Sequence, residues 1–369
     1  MYDVAIIGAG PAGSTLARLL GQQYRVLLVD RRRLDSQSRA GSLTKPCGGL
    51  LAPAAQEELA RQGLGVPSHV IAGPQLFAVR TLDLVANLER LYQRFYVNVD
   101  REAFDRWLVS LVPSRVATGF GWSMTGLERD TEGPMLHFRT SEGGHASVRA
   151  RLVIGADGAS SLVRKLAFPG AAQPRRYSAI QATFARSSED AYYGAIFDAT
   201  LTDFYGWSIP KAEHVLLGAA FPAGLGVSAR FDALVERARI SGMRLGDEIS
   251  RESGMVSRPT NPWHLCPGAG EVLLAGEAAG FISPSSAEGI SYALRSAALL
   301  ARALEFGLQG AGSRYRAAAS TLALRVGLKA AKASAIYASG TRRLIMRSGV
   351  GAIPSGEGMR SAPRLSPTR

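Results

Sequence analysis

The sequence predicts an α/β chain in which a domain founded on a βαβ unit is interrupted by a second, sheet-based domain and followed by helices. Three observations predict it. Tyr2-Asp3-Val4-Ala5-Ile6-Ile7 and Arg25-Val26-Leu27-Leu28-Val29-Asp30 are apolar, β-branched runs joined by a Gly-rich turn and a helical stretch, the pattern of parallel strands buried on both faces. A strand-like region rich in aromatic residues occupies about residues 170 to 262. From Glu271 the pattern of the opening returns in Val272-Leu273-Leu274-Ala275, so the first domain is discontinuous along the chain.

Taken in order, the opening strand runs into Gly8-Ala9-Gly10-Pro11-Ala12-Gly13, a helix, and the strand ending at Asp30. Arg31 to Leu51 mixes Arg, Ser, Gly and Pro, and loops of this length are usually functional. Pro53 to Leu64 reads as a helix, and Leu76-Phe77-Ala78-Val79 and Phe95-Tyr96-Val97-Asn98-Val99 as strands. A helix begins after Asp100 as N-cap, with Ala103, Trp107 and Leu108 on one face. Short strands then lead to Val148 through Ile154 and the turn Gly155-Ala156-Asp157-Gly158. After Gly276-Glu277-Ala278-Ala279-Gly280 a long helix is expected, with Ala287, Ile290, Leu294, Ala297, Ala301 and Leu304 along its buried face. The resulting division gives residues 1–75, 98–168 and 264–306 to the first domain and 76–97 and 169–263 to the second. Residues 307–353 form a helical C-terminal region, and 354–369 is expected to be a disordered tail.

A chain of 369 residues with 46% hydrophobic and 20% charged residues buries a large core without staples and is neither disordered nor collagen-like. Its formal charge is +13 and the excess is largely Arg, since the only lysines are Lys45, Lys165, Lys211, Lys329 and Lys332. Such an excess attracts phosphates, an anionic membrane surface or acidic partners, or reflects drift toward Arg over a solvated surface. Arg314, Arg316, Arg325, Lys329, Lys332, Arg342, Arg343 and Arg347, around Leu344-Ile345-Met346, fit peripheral contact with an anionic bilayer or a solvated basic helix. No recognition motif accompanies the charge, so nucleic acid is not an expected partner. Cys47 and Cys266 stand far apart with no CxxC, which points to a reducing, cytoplasmic compartment. The chain opens directly into a strand and no apolar run reaches about 18 residues, so neither export nor a membrane span is expected, and membrane contact would be peripheral, at the inner face. The five histidines are scattered without metal-ligand spacing, and neither G-x-S-x-G nor H-E-x-x-H occurs. No metal is expected.

The turn Gly8, Gly10, Gly13, with Pro11 and Ala12 between, fits G-x-G-x-x-G in its required setting, after a strand and opening a helix. The glycines permit a tight turn, close approach of a pyrophosphate and close helix-to-strand packing, while the helix N-terminus favours negative charge. Asp30, at the end of the next strand, suits a ribose hydroxyl pair. Dinucleotide binding follows, without separating nicotinamide from flavin.

Two later segments separate them. Leu152-Val153-Ile154-Gly155-Ala156-Asp157-Gly158-Ala159 and Leu273-Leu274-Ala275-Gly276-Glu277-Ala278-Ala279-Gly280 resemble the second and third fingerprints of the aromatic-hydroxylase-like FAD superfamily. Lys45-Pro46-Cys47-Gly48-Gly49-Leu50 resembles the Pro-Cys-Gly-Gly segment of geranylgeranyl-reductase-like flavoproteins, and Tyr205-Gly206-Trp207-Ser208-Ile209-Pro210 their aromatic Tyr-x-Trp-x-Phe-Pro wall, with Ile209 in place of Phe. With Asn98 to Asp105 and Ser286-Ala287-Glu288-Gly289-Ile290, the likeness covers about residues 1 to 350. Within that family the chain is similar to the bacterial branch of colicin M resistance proteins.

The resemblance implies a Rossmann-like FAD-binding domain of βαβ, three-layer build, an inserted sheet-based catalytic domain and a helical C-terminal portion. It implies FAD held by the first turn and Asp30, by Lys45, Cys47, Gly48 and Gly49, by Arg101, by Asp157 and Gly158, and by Gly276, Glu277, Gly280, Gly289 and Ile290. Glu277 stands where the family has Asp, against the ribityl chain, and Arg101 is a candidate for a phosphate or ribose contact, or a surface Arg. Cys47 is a candidate for proton delivery or alkene placement, or a small buried apolar residue. Tyr205 and Trp207 offer a flat apolar wall to a substrate, or pack as core. The implied activity is an FAD-dependent reductase that saturates carbon–carbon double bonds of an isoprenoid or other apolar, lipid-like substrate by hydride transfer from reduced flavin. An FAD-dependent monooxygenase is the alternative, and a halogenase or a lipid-sequestering flavoprotein without turnover stands behind it. No second nucleotide fingerprint is present, so electrons are expected from transient NAD(P)H or from a donor protein such as ferredoxin.

Overall fold

The computed structural model describes residues 1–34 and 47–354. Lys45, and all of the expected disordered tail except Pro354, lie outside the described residues. The chain opens with β1 (Tyr2–Ile7), α1 (Pro11–Leu20) and β2 (Val26–Asp30), then β3 (Leu50–Leu51) and α2 (Pro53–Arg61). The hairpin β4 (Leu76–Asp83) and β5 (Leu88–Asn98) leads to α3 (Arg101–Ser110), whose N-cap Asp100 accepts a hydrogen bond from Ala103 N at 2.8 Å. After β6 (Ala117–Phe120), β7 (Ser123–Asp130), β8 (Gly133–Arg139), β9 (His145–Gly155) and α4 (Leu162–Ala167) come β10 (Arg175–Arg186), β11 (Tyr193–Phe197), β12 (Gly206–Pro210), β13 (His214–Pro222), α5 (Val227–Ile240) and β14 (Leu245–Arg258). The chain then forms β15 (Gly268–Ala269), β16 (Val272–Leu274) and α6 (Ile290–Leu304), and continues through α7 (Ala311–Tyr337) and α8 (Ser339–Ser348).

The first sheet runs β15-β16-β9-β1-β2-β6, with β16, β9, β1, β2 and β6 parallel to one another. β9 is long because it serves two pairings: His145 to Arg149 pairs antiparallel with β8, and Ala150 to Gly155 lies beside β1. Leu16 and Leu20 of α1, Leu300 and Leu304 of α6, and Leu136 and Phe138 of β8 join the strand residues in one buried core. β1 connects to β2 on one side while β9 flanks it on the other, which opens a crevice at the carboxyl ends where the strand order reverses.

The second sheet runs β14-β10-β13-β12-β11-β4-β5-β3 and is antiparallel except between β11 and β4. Phe231 and Leu234 of α5 pack with Phe184, Leu217 and Phe221 on one side. A second cluster gathers Tyr177, Phe197, Phe204, Tyr205 and Trp207, with Ile336 and Tyr337 from the end of α7 against them. The helical C-terminal portion is fixed to this sheet: buried Arg342 donates from Nε to buried Asp83 at 2.8 Å, and the Arg258 guanidinium stacks between Phe204 (4.5 Å) and Tyr337 (4.2 Å).

Three details differ from expectation. α5 interrupts the region read as strands throughout, its Phe231, Leu234, Val235 and Ala238 lying at helical spacing and buried. Ala287 is not on the face of α6; it precedes the helix with φ +49°, and the helix starts only where Gly289 caps it. Glu288 explains the late start, since its carboxylate accepts from Ser291 N at 2.7 Å and Ser291 Oγ at 2.6 Å and so occupies first-turn donors. Finally Leu50 and Leu51, grouped with the first domain by sequence, hydrogen-bond β5 at the edge of the second sheet.

Candidate functional site

Three turns converge at the carboxyl edge of the first sheet because their strands are neighbours in register, Ile7 beside Gly155 and Gly155 beside Leu274. The packing leaves no room for side chains between them. A Cβ on Gly8 would stand 2.5 Å from Ala156 O, and one on Gly13 would overlap Gly8 O. Gly276, at φ +58°, lies against Ala12, where a Cβ would be 3.2 Å from that methyl group. Ala156 N donates to Ile7 O (2.7 Å) and Ala275 N to Gly155 O (2.9 Å), so the first turn, the Asp157-Gly158 turn and the Gly276–Gly280 turn form one continuous backbone surface. Pro11 holds the first position of α1, where its missing N–H costs nothing.

Gly10 decides whether this surface fits a dinucleotide. A Cβ there would meet nothing within 4 Å, and its φ of −75° is open to any residue. Neither protein packing nor backbone conformation requires glycine at this position, whereas a pyrophosphate lying on the N-terminus of α1 does. The residues fit FAD, and the first turn with Asp30 would hold its dinucleotide portion.

Asp30 is buried, and its carboxylate accepts from Ala9 N at 2.7 Å and from Arg32 N at 2.8 Å. It therefore braces the glycine turn. Arg32 also bonds Asp105 (2.9 Å), and Asp105 bonds Arg101 (3.0 Å), which reaches the Cys47 side chain. Asp30, Arg32, Asp105 and Arg101 thus form one charge-alternating file that ends on the Cys47 side chain. Burial opposes the charges of Arg32, Arg101 and Asp105, yet the partners outweigh it, holding both guanidiniums above and the carboxyl below their ordinary pKa. Arg101 is accordingly half-buried and anchored along α3 by Asp105, four residues on.

Cys47-Gly48-Gly49 bridges the two sheets. A side chain on Gly48 would overlap Ile209 of β12, and Gly49, at φ +62°, sits against Val99 O. Lys211 locks the segment from below, donating to Gly48 O (2.9 Å), Asn98 Oδ1 (2.6 Å) and Val99 O (2.8 Å). These partners are neutral, so burial pushes the Lys211 ammonium down to about 8, against the opposing pull of Cys47 and Asp100.

Beyond Ile209 lies the aromatic cluster. Tyr205 and Trp207 are buried, with ring centroids 5.9 Å apart. Trp207 Nε1 donates to Gln181 Oε1 (3.0 Å), Tyr205 OH to Ser286 O (2.6 Å) and Tyr193 OH to Tyr205 OH (3.2 Å). Burial raises the Tyr205 pKa well above its ordinary value, so the hydroxyl keeps its proton.

Other sequence-predicted residues occupy particular positions. The Asp157 carboxylate caps α4, accepting from Ser161 Oγ (2.5 Å) and Leu162 N (2.7 Å), and burial raises its pKa. Gly158 has φ +76° with open space beyond it. Glu277 accepts from Ser257 N of β14 at 2.8 Å, and Gly280, at φ +85°, packs against His264 O. Gly289 caps α6, and Ile290 packs with Leu51, Trp107 and Leu294. Sequence reasoning missed Arg32, Asp105, Gln181, Tyr193 and Lys211 as site residues. For Arg32 the available signal was its position two residues after Asp30, and for Lys211 its position directly after the Tyr205–Pro210 wall.

The FAD binding domain family matches residues 1–192. This chain belongs to that family. It is a flavoprotein of the FAD-dependent oxidoreductase class, and protein CbrA of Escherichia coli O6:H1 is 41% identical to it over 353 residues, 96% of this chain and 95% of that protein. Among solved structures, a geranylgeranyl bacteriochlorophyll reductase-like protein from Thermoplasma acidophilum superposes with a TM-score of 0.74 at 20% identity, covering 90% of this chain and 87% of its own. PqsL of Pseudomonas aeruginosa, in complex with 2-aminobenzoylacetate, gives 0.69 at 19% identity, covering 94% and 98%. The two structures share the fold of this FAD-binding chain.

Proposed function

We propose that the chain is an FAD-dependent reductase that saturates carbon–carbon double bonds in an isoprenoid or other apolar substrate. The contact of Gly48 with Ile209 carries this reading, because it joins the Cys47 segment directly to an aromatic, water-poor face. Bound and reduced, FAD supplies a hydride to one alkene carbon. The chain's own residues then have separable tasks. The wall of Tyr205, Trp207 and Ile209 binds and orients an apolar chain and excludes water. Cys47, tethered by Arg101, is the candidate for holding a proton at the edge of the wall. Tyr205 holds a second proton, in a file from Tyr193 OH through Tyr205 OH to Ser286 O.

In this reading Cys47, Gly48, Gly49, Arg101, Asp157, Gly158, Gly276, Glu277, Gly280, Gly289 and Ile290 border the cofactor, and electrons come from NAD(P)H or a donor protein such as ferredoxin. A second reading, an FAD-dependent monooxygenase of a small aromatic molecule, draws support from the likeness to PqsL in complex with 2-aminobenzoylacetate. Anaerobic incubation of the reduced holoprotein with polyprenols tests the choice. A product heavier by two hydrogens is expected. Oxygen insertion under air favours the monooxygenase, and binding without turnover favours a sequestering role.

A further inference from the structure

We propose that the outward face of α7 and α8 docks on an anionic phospholipid bilayer. Between Glu305 and Glu357 the sequence contains no Asp or Glu, yet it carries eight basic residues from Arg314 to Arg347. The fold uses some of them. Arg314 donates to Ala303 O, Gln309 O and Gly307 O, Arg342 pairs with Asp83, and Lys329 Nζ lies over the Tyr292 ring at 5.0 Å. Among the described residues no carboxylate forms an ion pair with Arg316, Arg325, Lys332, Arg343 or Arg347. Arg94 of β5 adds a further positive charge beside Lys329.

Charge alone would also suit water, but the apolar residues beside it do not. α7 turns Leu322, Val326 and Ala333 inward, leaving Leu324 and Leu328 one turn apart on the outer side, 66% and 64% exposed. α8 buries Arg342 and Met346 and leaves Leu344 70% exposed, with Val350 just beyond it at 74%. Unpaired cations interleaved with exposed leucines are satisfied together at an anionic lipid surface, where phosphates take the cations and the headgroup boundary takes the leucines. No described helix is long and apolar enough to cross a membrane, so the contact is peripheral. The inner side of the same helix ends in Ile336 and Tyr337 against the aromatic cluster, which sets the docking face beside that cluster.

Flotation of the FAD-loaded protein with phosphatidylcholine vesicles, with and without phosphatidylglycerol, tests this. Binding is expected only where phosphatidylglycerol is present, weakened but not abolished by salt. Arg325→Gln with Lys332→Gln should lower partitioning roughly thirtyfold, the effect of two surface cations, and Leu324→Ser with Leu328→Ser by about tenfold or more. Unchanged FAD content and thermal melting verify that each variant is folded. The proposal is overturned by absence of vesicle binding, by equal binding to neutral vesicles, by leucine variants that partition as wild type, or by retention on nucleic acid or on an acidic protein without vesicle binding. None of these results depends on the identity of the reaction.

Discussion

The carboxyl edge of the parallel sheet and the aromatic face of the second sheet meet at Cys47, and they are built by different means. On the first, the absence of side chains makes the surface: Gly8, Gly13 and Gly276 let three turns touch, and any Cβ would push them apart. On the second, large side chains make it, held by long-range hydrogen bonds such as Trp207 to Gln181 and by a buried ion pair between Arg342 and Asp83. A surface made of backbone tolerates almost no substitution. A surface made of side chains can be re-cut without pushing the three turns apart.

The contrast can be broken most forcefully at Gly13. Gly13→Val forces a side chain into Gly8 O and should cost roughly 4 kcal/mol or more, giving a protein with neither a cooperative melt nor bound flavin; a stable yellow variant would show that the turns do not need their contact. On the other face, Arg342→Met strands the Asp83 carboxylate, buried to 1% exposure, and should cost about 3–5 kcal/mol in denaturant unfolding. Adding Asp83→Leu should restore most of that loss while FAD affinity stays unchanged throughout.

Lys211 separates the two regions by pH. Its folded pKa is about 8 against an ordinary 10.5, so between these values the unfolded chain holds a proton that the folded chain has released, and this group's contribution makes the protein more stable as pH rises from 8 to 10.5. The gain is at most about 3 kcal/mol, and Lys211→Met should remove that rising slope from the pH profile of unfolding. A smaller effect is expected at the junction itself. Gly48→Ala presses on the flexible end of Ile209 and should cost about 1–3 kcal/mol, and a double-mutant cycle with Ile209→Ala should recover most of it; independent, additive losses would mean that the two regions do not touch there.

The same difference governs what could be read from sequence. The three turns are legible because their glycines recur at fixed spacing after a strand, and the strands around them carry continuous apolar runs. The Lys211 anchor is not legible, since its partners Gly48, Asn98 and Val99 lie 163, 113 and 112 residues away and no local pattern marks one lysine among five. Arg101 was visible as a candidate and its pairing with Asp105 is a local one, four residues apart on α3, but its engagement with Cys47 depends on α3 meeting the Cys47 segment in space. Ala287 looked helical because its spacing from Ile290 fits one face, and the local Glu288 cap on Ser291, three residues on, moved the start of α6 past it.

Gly10 gives the most direct test of the central claim, that these turns are shaped for FAD and not merely for packing. A Cβ at Gly10 meets no protein atom within 4 Å, so the apo form of Gly10→Ala should melt as wild-type apo protein does, while titration with FAD should show affinity reduced by about a hundredfold or more, equivalent to roughly 3 kcal/mol of lost approach. Undiminished FAD affinity in that variant, or a wild-type chain that stays colourless when FAD is added, would contradict the account.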